Sequence, residues 1–128
     1  MARVLVVDDD EEIVEFSVHC LNSEHHEVFT AFSGSQGCEI AEKEKPDIVI
    51  LDLMMPDMHG FEVCQKMRED RRLKDTKIII STAKSYAVDR KAALRLGANA
   101  YLVKPYGAQE LLDTVKEMLE GPGTRGSP

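Results

Sequence analysis

Asp47-Ile48-Val49-Ile50-Leu51-Asp52 decides how this chain is read. The residues between the two acids are all aliphatic, with no polar residue alternating among them. A strand with one wet face would alternate. An unbroken aliphatic run bounded by breakers reads instead as a central strand of a parallel sheet, buried on both faces. Pro46 stands just before it and stops any upstream helix from continuing through. The run closes on Asp52, a carboxylate at the end of the most apolar segment of the chain.

Outward from that run the pattern repeats. Upstream, Val4-Leu5-Val6-Val7 is a second aliphatic run, and it also meets acids, Asp8, Asp9 and Asp10. Ile13, Phe16, Cys20 and Leu21 then recur at helical spacing, which predicts a helix with these side chains toward the core. Asp10 suits its N-cap, and the acids after it suit its positive end. A weaker strand over 26–30 and a helix over 35–44 follow. Gly37 is a fault within that helix, costing about 1 kcal/mol relative to Ala.

Downstream of Asp52, the turn Met54-Met55-Pro56-Asp57-Met58-His59-Gly60 leads to a helix with Phe61, Cys64 and Met67 on one stripe. Lys77-Ile78-Ile79-Ile80 is a fourth strand, ending at Ser81 and Thr82. A helix from about residue 86 stops at Gly97, a residue suited to a left-handed cap. Ala100-Tyr101-Leu102-Val103 is the fifth strand, ending at Lys104-Pro105, and a last helix carries Leu111, Leu112, Val115, Met118 and Leu119. Strands alternating with helices in this way predict an α/β fold, a doubly wound five-stranded parallel sheet with helices on both faces. Residues 1–120 are expected to form one domain, and the Gly- and Pro-rich residues 121–128 a disordered tail or the start of a linker.

Composition narrows the functions. A net charge of -7 argues against direct nucleic-acid binding, which needs a basic face. No apolar run approaches a membrane span, and the opening residues lack the long apolar region of a signal peptide. A cytoplasmic protein is expected. Cys20, Cys38 and Cys64 have no paired spacing and read as reduced core thiols.

The chemistry lies at the strand ends. The first strand ends in Asp8-Asp9, the third in Asp52, the fourth in Ser81-Thr82 and the fifth in Lys104. Open α/β sheets bind ligands beyond the carboxyl ends of their strands, so these residues should gather on one rim. Crowded carboxylates repel, and a divalent cation relieves that cost. Mg²⁺ takes one or two carboxylates plus water and phosphate oxygens, so the cluster reads as a Mg²⁺ and phosphate site.

Taken together, VVDDD (6–10), LDLMMPDMHG (51–60), STAKS (81–85) and YLVKPY (101–106) resemble the receiver domains of two-component response regulators. The resemblance covers nearly the whole chain, from Val4 to Leu119. It implies the flavodoxin-like strand order 2-1-3-4-5. It makes Asp52 the acceptor of a phosphoryl group from a sensor histidine kinase, a phosphotransfer protein or a small donor such as acetyl phosphate. Asp8, Asp9, Asp52 and the Met54 carbonyl would hold Mg²⁺. Lys104 and Thr82 would bind the phosphoryl oxygens, and the Lys104–Pro105 peptide would be cis. Thr82 and Tyr101 would then move together as a switch, repacking the surface of the fourth helix, fifth strand and fifth helix. That surface would meet a downstream protein or output domain, or a second copy in a homodimer. The domain would be a phosphoacceptor switch rather than an enzyme. Met54 and Lys84 occupy the positions that set phosphoryl lifetime; Met54 cannot hold an attacking water by hydrogen bonding, so slow autodephosphorylation is expected.

Plainer readings stand beside these. Thr82 alone would be a strand-end hydroxyl and Lys104 alone a solvated charge; their coincidence with Asp52 lifts both. His25-His26 reads as a turn and His59 as structural or solvent-facing. Two rival functions remain in view. Asp8 and Asp10 form a D-x-D pair, as in haloacid-dehalogenase-like phosphatases, although no later acidic motif follows Lys104. A phosphorylation-independent pseudo-receiver is the other, disfavoured because acceptor, acids, threonine and lysine are all present.

Overall fold

The computed structural model describes residues 1–83 and 87–125. β1 (Arg3–Val7), β2 (Glu27–Ala31), β3 (Ile48–Asp52), β4 (Lys77–Thr82) and β5 (Ala100–Val103) alternate with five helices. These are α1 (Glu11–Ser23), α2 (Gly34–Glu44), α3 (Gly60–Glu69), α4 (Ala87–Arg95) and α5 (Ala108–Arg125). All strand pairings are parallel, in the order β2-β1-β3-β4-β5. β3 is the central strand and is buried throughout, as its unbroken apolar run requires.

Side chains alternate across each strand, and the alternation splits the core into two layers. Val49, Leu51, Ile78 and Ile80 face α2, α3 and α4, where Ala41, Val63, Met67 and Ala93 meet them. Ile48, Ile50, Ile79 and Leu102 face α1 and α5, against Val14, Leu21, Leu111 and Val115. That parity carries on to the strand ends and determines which polar side chains share a face.

The helix starts are held by side chains. Asp10 caps α1, accepting from the N–H groups of Glu12 and Ile13, and Ser33 caps α2. Asp57, from the loop after β3, also grips the start of α2; it accepts from the N–H groups of Gly34 and Ser35 and from Ser35 Oγ, each at 3.0 Å. The Gly34 bond foremost, then that of Ser35, pulls the Asp57 carboxyl below the usual range. Gly37 now has a reason: a Cβ there would lie 2.9 Å from both γ-carbons of Val7. The residue that weakens α2 locally is what lets it seat on β1. Gly97 takes φ 105 behind α4, as the sequence predicts.

Several expectations need correction. Phe16 is exposed rather than core, because the buried stripe of α1 is Val14, Ser17, Cys20 and Leu21. Its ring lies near that of Tyr106, with centroids 6.2 Å apart. Leu119 is likewise exposed. Cys20 and Cys64 are buried thiols, but Cys38 only packs against the core's edge. Residues 126–128 of the expected tail, and Lys84 and Tyr86, lie outside the described residues.

Candidate functional site

Parallel strands point their carboxyl ends the same way, so the residues just past them converge. Asp8, Asp9, Asp10, Asp52, Met54, Thr82, Ala83 and Lys104 line one cleft of about 370 Å³. Asp8, Asp9, Asp52, Met54, Thr82 and Lys104, the residues expected to hold the metal and the phosphoryl group, are all in that lining. Asp8 and Asp52 are only 2% and 5% exposed, and Thr82 is also buried. Asp9 and Met54 are exposed.

Lys104 organises the centre. Its Nζ donates to Asp8 Oδ2 at 2.8 Å and to Asp52 Oδ1 at 3.0 Å. The other oxygen of Asp8 accepts from the Asp10 N–H at 2.9 Å, which fixes that carboxylate at the start of α1. Asp8, Asp9 and Asp52 each bring a carboxylate oxygen within 4.8 Å of the others. Lys104 therefore bonds two of these three acids.

The Asp52 carboxyl is pushed up to about 6. Burial is the main cause, the hydrogen bond from Lys104 pulls the other way, and the charges of Asp8 and Asp9 raise it further. For Lys104, burial disfavours the ammonium, but the hydrogen bonds and charges of Asp8 and Asp52 outweigh it, and its pKa rises. The lysine is thus firmly charged while Asp52 titrates near neutrality.

Around this centre, the Lys104–Pro105 peptide is cis. Tyr101 is half-buried on the layer facing α2, α3 and α4, with the Arg90 guanidinium 5.2 Å from its ring centroid. His59 is exposed and caps α3, accepting from the Phe61 N–H at 3.1 Å through Nδ1. His26 Nδ1 accepts from the Ala2 N–H at 3.0 Å, and His25 sits in the turn at φ 63. Asp10 lines the cleft beside Asp8, but one of its carboxylate oxygens is taken by the Glu12 and Ile13 N–H groups at the start of α1.

Gly60 positions the site in a way that sequence reasoning missed. Its N–H donates to the Leu53 carbonyl at 2.6 Å, and a Cβ on it would lie 2.6 Å from the Asp52 carbonyl oxygen and 2.7 Å from Leu53 Cα. The first turn of α3 thus presses on the backbone at the end of β3, and only glycine fits. Gly60→Ala is expected to cost about 1–3 kcal/mol in stability, since backbone must move on both sides; chemical denaturation would show it, and an unchanged midpoint would contradict the close approach. The signal was present as a Gly in a turn, but not the backbone it would meet.

Comparison with known proteins agrees with the fold. The model of the response regulator receiver domain family matches residues 4–116. The chain is 38% identical over 119 residues to the response regulator ArlR of Staphylococcus aureus, covering 93% of this chain and 53% of that protein. It therefore spans about half the length of that curated relative. Among solved structures, a CheY-like receiver domain protein from Methanospirillum hungatei superposes with a TM-score of 0.90 at 30% identity, covering 98% of each chain. The Vibrio cholerae chemotaxis protein CheY4 superposes with a TM-score of 0.87 at 34% identity, covering 91% of this chain and 97% of that one. Sheet order, the convergence of strand-end residues and a match along nearly the whole chain lead to one conclusion: this chain belongs to the response regulator receiver domains of two-component signalling.

Proposed function

We propose that this domain is a switch that takes a phosphoryl group onto Asp52. The observation that carries the reading is Lys104 held between Asp8 and Asp52 in an acidic, largely buried cleft. Lys104 occupies Oδ1 of Asp52, which leaves Oδ2 as the attacking atom. With its carboxyl near 6, Asp52 is mostly ionised at neutral pH and needs no general base. The new O–P bond forms as the P–N bond of a phosphohistidine, or the P–O bond of acetyl phosphate, breaks. The electron pair leaves with the imidazole or the acetate. Phosphoryl transfer asks mainly for alignment and charge neutralisation.

The hard oxygens of Asp8, Asp9 and Asp52 fit Mg²⁺, with the Met54 carbonyl as a further ligand, and the ion when bound would add positive charge beside the phosphoryl oxygens. Lys104 then pairs with the phosphoryl group and Thr82 donates to it. Tyr101 follows Thr82, repacking the α4–β5–α5 surface and biasing two states of one fold. The donor is a sensor histidine kinase or phosphotransfer protein. The output is a downstream domain or separate protein, with a homodimer through the same surface as one form it takes. No helix among the described residues is long and apolar enough to cross a membrane; partners of this kind place the domain in the cytoplasm.

Intact-protein mass after incubation with acetyl phosphate and Mg²⁺ tests the reading. One phosphoryl increment is expected, absent in Asp52→Ala and absent when the metal is chelated. With Met54 at its rim the product should persist for minutes. Failure of well-folded protein to take up the group from either acetyl phosphate or a histidine kinase would leave a pseudo-receiver as the better account.

A further inference from the structure

Two of the segments that line the cleft are tied together by a side chain outside it. Asp8 and Asp9 follow β1, whereas Met54 belongs to the loop between β3 and α3. As a ligand for Mg²⁺, Met54 differs in kind from the acids. A carboxylate reaches an ion by rotating its own side chain, but a backbone carbonyl points where its peptide plane points. The Met54 side chain is 51% exposed, so its own packing does little to fix that plane. The loop has to be held from elsewhere.

Its base is pinched, with the Leu53 N–H on the Ser81 carbonyl at 3.0 Å and the Gly60 N–H on the Leu53 carbonyl at 2.6 Å. Met55 is buried in the core and Met58 packs against it. Asp57, between them, reaches across to α2 and accepts from the Gly34 and Ser35 N–H groups and from Ser35 Oγ. The first N–H groups of a helix have no partner within it, and a carboxylate is a strong acceptor for them. α2 is itself fixed to β1 where it crosses Val7, the residue just before Asp8, since a Cβ on Gly37 would lie 2.9 Å from the valine's γ-carbons. Gly34 sits as close to the loop, where a Cβ would lie 2.8 Å from Met58 Cβ. The start of α2 therefore meets both the end of β1 and the loop that carries Met54.

We propose that Asp57 is a positioning residue for the metal and phosphoryl site: by clamping the β3–α3 loop to the start of α2, it fixes the Met54 carbonyl relative to Asp8 and Asp9. This rests on the reading of the cleft as a Mg²⁺ site. Asp57 does not line the cleft, so its effect passes through the loop.

The test compares three variants by Mg²⁺ titration, followed through amide chemical shifts, and by thermal unfolding without metal. Asp57→Ala removes the clamp and should weaken Mg²⁺ binding about tenfold, the lower end of what outer partners of a metal site contribute. Ser35→Ala removes one of the three bonds and no charge, and should weaken it by about twofold, the low end of one hydrogen bond. Ser33→Ala removes the other cap of α2, the bond to the Gln36 N–H, which leads to no part of the loop. It should lower the unfolding temperature, as Asp57→Ala does, and leave Mg²⁺ affinity at the wild-type value. Wild-type affinity in Asp57→Ala overturns the proposal. So does an equal loss in Ser33→Ala, which would mean that α2 acts only through stability. A loss in Asp57→Ala with none in Ser35→Ala also overturns it, since charge alone would then be the cause. Wild type that shows no Mg²⁺ binding defeats the reading of the cleft itself, and the role of Asp57 with it.

Discussion

Asp52→Asn should leave the protein more stable near neutral pH, by about 2–3 kcal/mol, while ending its capacity to accept a phosphoryl group. The gain follows from the site's own electrostatics. The folded Asp52 carboxyl titrates at about 6, above its ordinary 3.8, chiefly because it is buried. A group with a raised folded pKa binds its proton more tightly in the native state. Its contribution to stability is therefore fully present below 3.8, is lost as the pH climbs through 6, and is gone above that. The gap between those two values corresponds to about 3 kcal/mol, reduced by the water that reaches the cleft. Asparagine keeps the shape and removes the charge. Urea denaturation of both proteins at acid and neutral pH checks this: the advantage of the variant should appear at neutral pH and vanish in acid. A variant no more stable than wild type at neutral pH would mean that the carboxylate is not under strain.

Lys104→Met should do the reverse. Losing the ammonium leaves the buried carboxylates of Asp8 and Asp52 facing each other without the cation that bonds both. Breaking a buried pair by removing one partner costs several kcal/mol, and about 2–4 is expected here because the cleft opens to solvent. Lys104's own pKa is raised, so its stabilising charge is fully present at and below neutral pH. The penalty should therefore be largest at neutral pH and shrink in acid, where Asp52 takes up a proton. Asp52→Asn added to Lys104→Met should recover much of the loss, since the two side chains are in contact and their effects do not add. A loss independent of pH, or no recovery in the double variant, would show that packing rather than charge ties the lysine in place.

Much of the fold could be read from the chain because its signals are local and periodic. Val4–Val7, Ile48–Leu51 and Ile78–Ile80 are too apolar for anything but buried strands, and the helices between them repeat at helical spacing. The rim residues were legible for a related reason: a carboxylate or lysine directly after such a strand can only project from one end of a parallel sheet. What escaped depends on contacts between distant segments. Periodicity says that a helix has an inner face but not its edge, which is why Phe16 lies outside a stripe it resembles and Cys38 sits at the border. Gly37 reads as a weakness until Val7 is seen against it. Asp57 reads as a turn residue until Gly34 and Ser35 are found donating to it. Arg68 carries no signal at all, yet its guanidinium joins the carbonyls of Leu73 and Gly97 and the Asn99 side chain, tying α3 to the loop before β5.

The central claim is that Asp52, and no other acid of the cleft, becomes the aspartyl phosphate. Borohydride reduction of acetyl phosphate-treated protein, followed by peptide mapping, tests it most directly, because reduction converts a phosphorylated aspartate to homoserine. The account predicts homoserine at position 52 alone, dependent on Mg²⁺. Homoserine at Asp8 or Asp9 instead, or at none of the three in folded and metal-loaded protein, would contradict it.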